Sequence, residues 1–272
     1  AMIDSTPMVV ICGQVGAAML GTDAFQEVDV VGVTQPISKW NYQIRRAEDI
    51  PWAVARAFYI AKSGRPGPVV LDFAKNAQTA LIEYQPQTVD FIRSYNPVPT
   101  PEQSAIEKAA ELINQSVKPL MLVGQGVEIA GAREELLALA EKAQIPFGQT
   151  MLGLSAAPTH HPLNMGMLGM HGNLAPNVMT NQCDLLIAVG MRFDDRVTGD
   201  LHTYAKQAKV IHFEIDPSEV GKIVKPTVAV LGDCKQTLAQ VAELVQETKH
   251  QAWIDGFKPY AEKEYNKVID AA

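Results

Sequence analysis

The chain has 272 residues, 23 Lys plus Arg against 30 Asp plus Glu, a net charge of −7 and 47% hydrophobic residues. That length holds two ordinary domains with sizeable cores. The acidic balance, with no basic cluster interleaved with aromatics, argues against nucleic acid as a partner. No apolar run reaches the length of a membrane span, and no basic segment leads into a signal-type apolar core. Cys12, Cys183 and Cys234 are far apart, odd in number and set in apolar runs. They read as reduced, buried thiols of a cytoplasmic protein, not as a metal site.

In chain order, Met8-Val9-Val10-Ile11-Cys12-Gly13 is a fully apolar strand with no element before it. Either its partners come from later in the chain or the early part of this domain is missing. A glycine-punctuated loop follows through Glu27, where Thr22 or Asp23 is placed to cap a short helix. Val28 to Val33 reads as a strand. Glu48-Asp49-Ile50-Pro51 opens a helix running through Lys62, with proline in the first turn and apolar residues at helical spacing. Ser63-Gly64-Arg65-Pro66-Gly67-Pro68 stops it, and Val69 to Phe73 is the next strand. Residues 1–78 thus predict an incomplete α/β layer. Residues 79–101, with Pro86, Pro97, Pro99 and Pro101, have the composition of an extended linker.

A second α/β unit, 102–250, begins with an amphipathic helix from Glu102 to Gln115 that has Ala105, Ala109, Leu112 and Ile113 on one side. Its strands are read at 119–123, 145–148, 184–189, 210–215 and 227–231, with helices at 131–143, 173–182, 200–207 and 235–247. The alternation predicts a doubly wound, Rossmann-like parallel sheet of five to six strands. The tail, 251–272, carries Trp253, Phe257 and Tyr260 among charges and reads as a helical extension with nothing obvious to pack on.

The chemistry gathers where strands run into glycine. Asp184 to Val189 is an apolar strand that ends in Gly190 and delivers Arg192, Asp194, Asp195 and Arg196. Gly190 there allows close backbone approach to a ligand, and two arginines steadied by two acids can grip a phosphate or carboxylate. The competing reading is a solvated charged loop, whose ion pairs contribute little. Gly124-Gln125-Gly126 follows another strand, but Ile129 occupies the third glycine's place in a dinucleotide turn. Glu214 ends a later strand, either as a ribose acceptor or as a cap. Met165-Gly166-Met167-Leu168-Gly169-Met170-His171-Gly172-Asn173 suits neither helix nor strand. It is read as a segment draped over a flat ring system, with His171 toward a pyrophosphate, or as a loop whose methionines fill gaps. There is no Walker loop, no serine nucleophile elbow and no H-E-x-x-H pair. No acid of the first domain stands out as a catalytic base, and no spacing suggests metal.

Five segments carry a resemblance: Gly13-Gln14-Val15; Gly21-Thr22-Asp23-Ala24-Phe25-Gln26-Glu27; Ser63 to Val69; Met167 to Gly172; and Arg192-Phe193-Asp194-Asp195-Arg196-Val197-Thr198-Gly199. In this order they resemble the catalytic subunit of acetohydroxyacid synthase (acetolactate synthase). That family has three α/β domains, holding the thiamine diphosphate pyrimidine, FAD, and the diphosphate through Mg2+. The resemblance covers the second half of the first domain and all of the central one, so an internal fragment is expected. The glutamate that activates the thiamine ring and the magnesium motif have no counterpart, and the chain by itself is expected to be inactive.

What the resemblance implies for residues is extensive. Arg65, Gly124, Gln125, Gly126, Thr150, Met151, Leu168, Gly169, Met170, His171, Gly190, Met191, Arg192, Phe193, Asp194, Glu214, Ile215, Asp233 and Cys234 would line FAD. Gln26 would lie near thiamine diphosphate, and Phe25, Lys39, Lys75, Asp195 and Arg196 along the substrate channel. Gln125 interrupts a run that is often three glycines, and Gly16-Ala17-Ala18 replaces a Pro-Arg-Arg version seen in some members. The parent would be a homodimer with a regulatory small subunit, condensing two 2-keto acids in branched-chain amino-acid biosynthesis. The alternatives are another thiamine diphosphate-dependent decarboxylase or carboligase, and a non-catalytic FAD-binding module.

Overall fold

Three runs in the N-terminal part pair in parallel, in the spatial order β1 (Met8–Gln14), β3 (Pro68–Ala74), β2 (Trp40–Ile44). The structure, a computed structural model, describes residues 1–270, which fall into two units, Ala1–Val98 and Pro99 onward. In the first unit β1 pairs with β3 along its whole length, so the opening strand takes its partner from later in the chain. The segment 28–33 is not a strand. Asp29 accepts a hydrogen bond from the Gly32 amide and caps a short helix, α1 (Val30–Thr34), overriding the β-branched residues. The strand is β2, whose alternation of Trp40, Tyr42 and Ile44 places those three side chains on one face.

Helix α2 (Ile50–Lys62) covers that face with Ala53, Ala57, Ile60 and Ala61, the i, i+4, i+7, i+8 stripe of a core-facing helix. After β3 comes a single helical stretch, α3 (Lys75–Thr79). From there to Val98 the chain has no regular structure except turns, yet it packs back on its own unit. Ile92 is buried in the core, and the Tyr95 ring meets Tyr59 edge-on at 6.3 Å.

The second unit starts with α4 (Gln103–Gln115) and β4 (Pro119–Val123), followed by α5 (Gln125–Ile129) and α6 (Arg133–Lys142). Then come β5 (Phe147–Gln149), β6 (Asn164–Met167), α7 (Leu174–Thr180), β7 (Leu185–Val189), α8 (Asp195–Thr198), β8 (Lys209–Glu214), β9 (Val228–Leu231) and α9 (Cys234–Leu244). The six strands are all parallel, in the order β6-β5-β4-β7-β8-β9. That is the doubly wound order in which the chain winds outward in one direction and then, from the first strand, in the other. β4 and β7, side by side at the reversal, are buried at every residue, as strands covered on both faces must be. One apolar cluster lies on each face, centred on Met121, Val123, Ile187 and Phe213, and on Leu120, Leu122, Leu186 and Ala188.

The second unit departs from its sequence pattern in three places. β6 was hidden because its sequence, Asn-Met-Gly-Met, has weak strand propensity. The segment 200–207 is a series of turns, not a helix. The short helix is α8, which Gly199 stops at φ +58°. The tail does have a surface to pack on. In α10 (Gln251–Asp255) and just after it, Trp253 and Phe257 are buried against the second cluster, and the Trp253 indole N–H donates to the Pro119 carbonyl at 2.7 Å. Helix α11 (Lys258–Glu264) then packs on α7. The last two residues of the predicted tail lie outside the described residues.

Candidate functional site

The carboxyl ends of the six strands of the second unit all open on one edge of the sheet, where doubly wound folds bind their ligands. β4 and β7 are tied together there by backbone alone. The Gly124 amide donates to the Val189 carbonyl and the Gly126 amide to the Gly190 carbonyl, both at 2.9 Å. A Cβ on Gly124 would sit 2.3 Å from the Gly190 carbonyl oxygen, and one on Gly126 would sit 2.6 Å from the Gly190 Cα. Gly190 has φ +56°, and its own Cβ would fall 2.7 Å from the Gly126 Cα. The close approach read from Gly190 is therefore made first to the facing glycine turn, and it brings the two crossover loops together at the reversal point.

Beyond Gly190, the side chains of Met191 and Phe193 are buried, while Arg192 and Asp194 remain about 30% exposed and pair at 3.4 Å. Asp194 also caps α8, accepting from the Arg196 and Val197 amides at 2.9 and 3.3 Å. Asp195 and Arg196 are exposed and 3.8 Å apart, a contact weakened by solvent.

The methionine-rich segment meets this loop. The Met170 amide donates to the Arg196 carbonyl at 2.7 Å, and Gly169, at φ +103°, leaves only 2.8 Å between its Cβ position and that same oxygen. Asn177 of α7 brackets Gly169, accepting from its amide and donating to its carbonyl, each at 2.8 Å. Leu168 is buried below, while Met170 and His171 are exposed and Met151, at the end of β5, is 60% exposed. Thr150 donates its amide to the Val123 carbonyl at 2.9 Å, which joins the end of β5 to that of β4.

On the other side, Glu214 is buried at the end of β8 and its carboxylate accepts from the Ile215 and Asp216 amides at 2.9 and 3.1 Å. It caps the following turn, and its second oxygen is 3.5 Å from the His212 Nε2. His212, 1% exposed, bonds the Met191 carbonyl through Nε2 at 3.1 Å. A carbonyl only accepts, so Nε2 carries the proton and Nδ1 is left without a partner. Asp233 caps α9 through the Lys235 amide at 2.8 Å. Cys234 is buried and its thiol is pushed up to about 12, first by burial and then by the Asp233 carboxylate. Cys183 is likewise pushed up to about 12 by burial and by Asp184. Neither thiol is a nucleophile near neutrality.

The residues predicted in the first unit are placed differently. Lys39 reaches the last carbonyls of α2, donating to Ser63 at 2.7 Å and also to Ile60, so its ammonium caps a helix C-terminus. Arg65 donates to the Ser5 hydroxyl at 3.0 Å and the Ile3 carbonyl at 3.1 Å, pinning the N-terminal segment. Phe25 is 88% exposed, Gln26 has φ +65°, and Lys75 is exposed at the start of α3. Neither Thr22 nor Asp23 caps a helix. Instead the Glu27 carboxylate accepts from the amides of Gly21, Thr22 and Ala24. The Gly21 amide is the chief reason that carboxyl lies below its ordinary range.

Sequence reading gave Asn173 no role of its own and passed over Asn177, His212 and Glu264. Asn173 ends the glycine-rich segment, Asn177 follows it closely, and His212 interrupts an apolar strand; each is a polar residue where the pattern calls for none. Glu264 carries no such signal.

A sheet that reverses between β4 and β7, with glycine turns locked at the reversal and polar side chains ringed on the strand ends, defines a doubly wound α/β protein, a fold that takes its ligands at that edge. The chain belongs to the family described as thiamine pyrophosphate enzyme, central domain, whose model matches residues 106–241. Among similar proteins, the acetolactate synthase large subunit of Corynebacterium glutamicum is 46% identical over 95% of this chain and 42% of its own length. The acetolactate synthase isozyme 1 large subunit of Escherichia coli K12 is 44% identical over 93% of this chain and 44% of its own. A probable acetolactate synthase large subunit of Methanocaldococcus jannaschii is 44% identical over 94% and 44%. The chain thus spans less than half the length of these relatives. Among the described residues, no helix is long and apolar enough to cross a membrane.

Proposed function

We propose that the chain is the part of an acetolactate synthase large subunit that holds FAD at the strand ends of its second unit. The whole enzyme decarboxylates pyruvate and joins it to a second 2-keto acid, with thiamine diphosphate, anchored by Mg2+, supplying the electron sink. The regions proposed are 1–78 for the pyrimidine side, 79–101 as connection, 102–250 for FAD and 251–272 as extension toward a third domain. A homodimer with a regulatory small subunit, working in the cytoplasm, completes the reading.

The observation that carries it is the gathering of the motif residues. Gln125, Thr150, Met151, Met170, His171, Arg192, Asp194, Ile215 and Asp233 stand at the ends of β4 to β9 with part of their surface open. The donor set suits a flavin dinucleotide. Arg192, steadied by Asp194, offers charge to a pyrophosphate, and the thioethers of Met151 and Met170 offer soft surface to a ring. Glu214 suits a ribose less well, because both its oxygens already have neighbours. The chain's own task in the reaction is to hold and orient the cofactor, and no proton transfer is assigned to its residues.

The test is titration of the purified chain with FAD, following flavin fluorescence, beside an acetolactate assay from pyruvate. Quenching without acetolactate is the expected pair. Acetolactate formed by the chain alone would refute the expected inactivity, and absence of FAD binding would remove the site assignment.

A further inference from the structure

We propose that Glu264, on the C-terminal extension, is a positioning residue that holds the glycine- and methionine-rich loop 166–172 in its ligand-presenting shape. The first amides of a helix need acceptors, and an Asn at the N-cap normally supplies one from its own side chain. Asn173 occupies that position on α7 and makes no such bond. Its Oδ1 turns back to accept from the Met167 amide at 2.9 Å, and its own amide donates to the Met167 carbonyl at 2.6 Å. Asn173 therefore closes the base of the loop, and the cap of α7 is left to another group. Glu264 supplies it: one carboxylate oxygen accepts from the Leu174 amide at 3.1 Å and from the Asn173 Nδ2 at 3.3 Å.

The arrangement holds one side chain by both ends. With Glu264 taking Nδ2, Oδ1 is kept facing the Met167 amide; without it the Asn173 side chain is free to turn toward the Ala175 amide, the position an N-cap normally serves, and the Met167 amide loses its acceptor. The loop so held carries Gly169, bracketed by Asn177, and Met170, bonded to the Arg196 carbonyl. Glu264 itself is fixed by the extension, through the bond from Trp253 to Pro119 and one from Gln182 to the Tyr260 hydroxyl at 3.2 Å. Docking of the extension is thereby linked to the shape of the loop 90 residues earlier in the chain.

Hydrogen exchange on the whole chain, comparing Glu264→Ala and Glu264→Gln, tests this. In Glu264→Ala, exchange over residues 163–180 rises about tenfold, as for loss of one charged hydrogen bond, while α4 and β4 are unchanged. Glu264→Gln, whose amide oxygen still accepts, restores most of the protection. The affinity measurement rests on the FAD reading above: FAD binding weakens about fivefold in Glu264→Ala and less than twofold in Glu264→Gln. Unchanged protection of 163–180, or a gain in exchange confined to 256–270, would overturn the proposal. Failure of the unmodified chain to bind FAD counts against the FAD reading alone, since exchange still decides the tether.

Discussion

β1 and β4 are both short apolar runs that end in glycine or lead straight to it, yet the fold treats them oppositely. Every residue of β4 is buried, between apolar clusters on both faces of its sheet. β1 stands at the edge of its sheet with Met8 45% and Ile11 66% exposed, and the apolar cluster of its unit is a single one. Apolar composition therefore measures what a strand can bury, and position in the sheet decides what it does bury. The same contrast holds for the site residues. In the second unit they share one edge, whereas Lys39 and Arg65 of the first unit hold backbone in place.

The sharpest way to break the contrast is at the reversal point. Gly190→Ala adds a Cβ at φ +56° against the Gly126 Cα, combining left-handed strain with overpacking. The expected loss is about 3 kcal/mol or more for the second unit, measured by urea unfolding at Trp253 with Trp40 and Trp52 replaced by Phe. An unchanged midpoint would show that β4 and β7 can part without cost. Next, Leu122→Ala should destabilise the same unit by about 2–5 kcal/mol, whereas Ile11→Ala, at the exposed edge, should shift unfolding by no more than about 0.5 kcal/mol. Equal losses would erase the distinction between central and edge strand.

A smaller effect is expected at Lys39. If its ammonium serves α2, Lys39→Met lowers the stability of the first unit by about 1 kcal/mol with no ligand present; a residue awaiting only substrate would show none. The smallest concerns Glu27. Its folded carboxyl is held below the ordinary 4.5, so its contribution is present above that value and is lost as pH falls through the lower folded one. The Gly21 amide resonance should titrate with a midpoint under 4.5 and stop titrating in Glu27→Gln. A midpoint at or above 4.5 would contradict the bonds drawn to that loop.

Much of the fold was legible because its signals are local. Apolar runs marked β3, β4, β7 and β8, the 3.6-residue stripe marked α2 and α4, and Pro51 and the run from Ser63 to Pro68 marked the start and the stop of α2. The strand-end loops were legible too, because glycine after an apolar run marks a strand end; roles for single residues along them came only from the resemblance. Two segments escaped for different reasons. Val28 to Val33 has strand composition, but a local cap, Asp29 on the Gly32 amide, outweighs it and makes a helix; β6 has weak strand propensity and is a strand because β5 offers it an edge. The sequence by itself determined the α/β class and which residues end on one side of the sheet, since periodicity and glycine placement are written in neighbouring residues. Only the tertiary structure decided that Gly126 and Gly190 face each other, that Lys39 and Glu214 serve as caps, and that Glu264 reaches α7. Those assignments depend on which hydrogen-bonding groups are left without partners once the chain has packed.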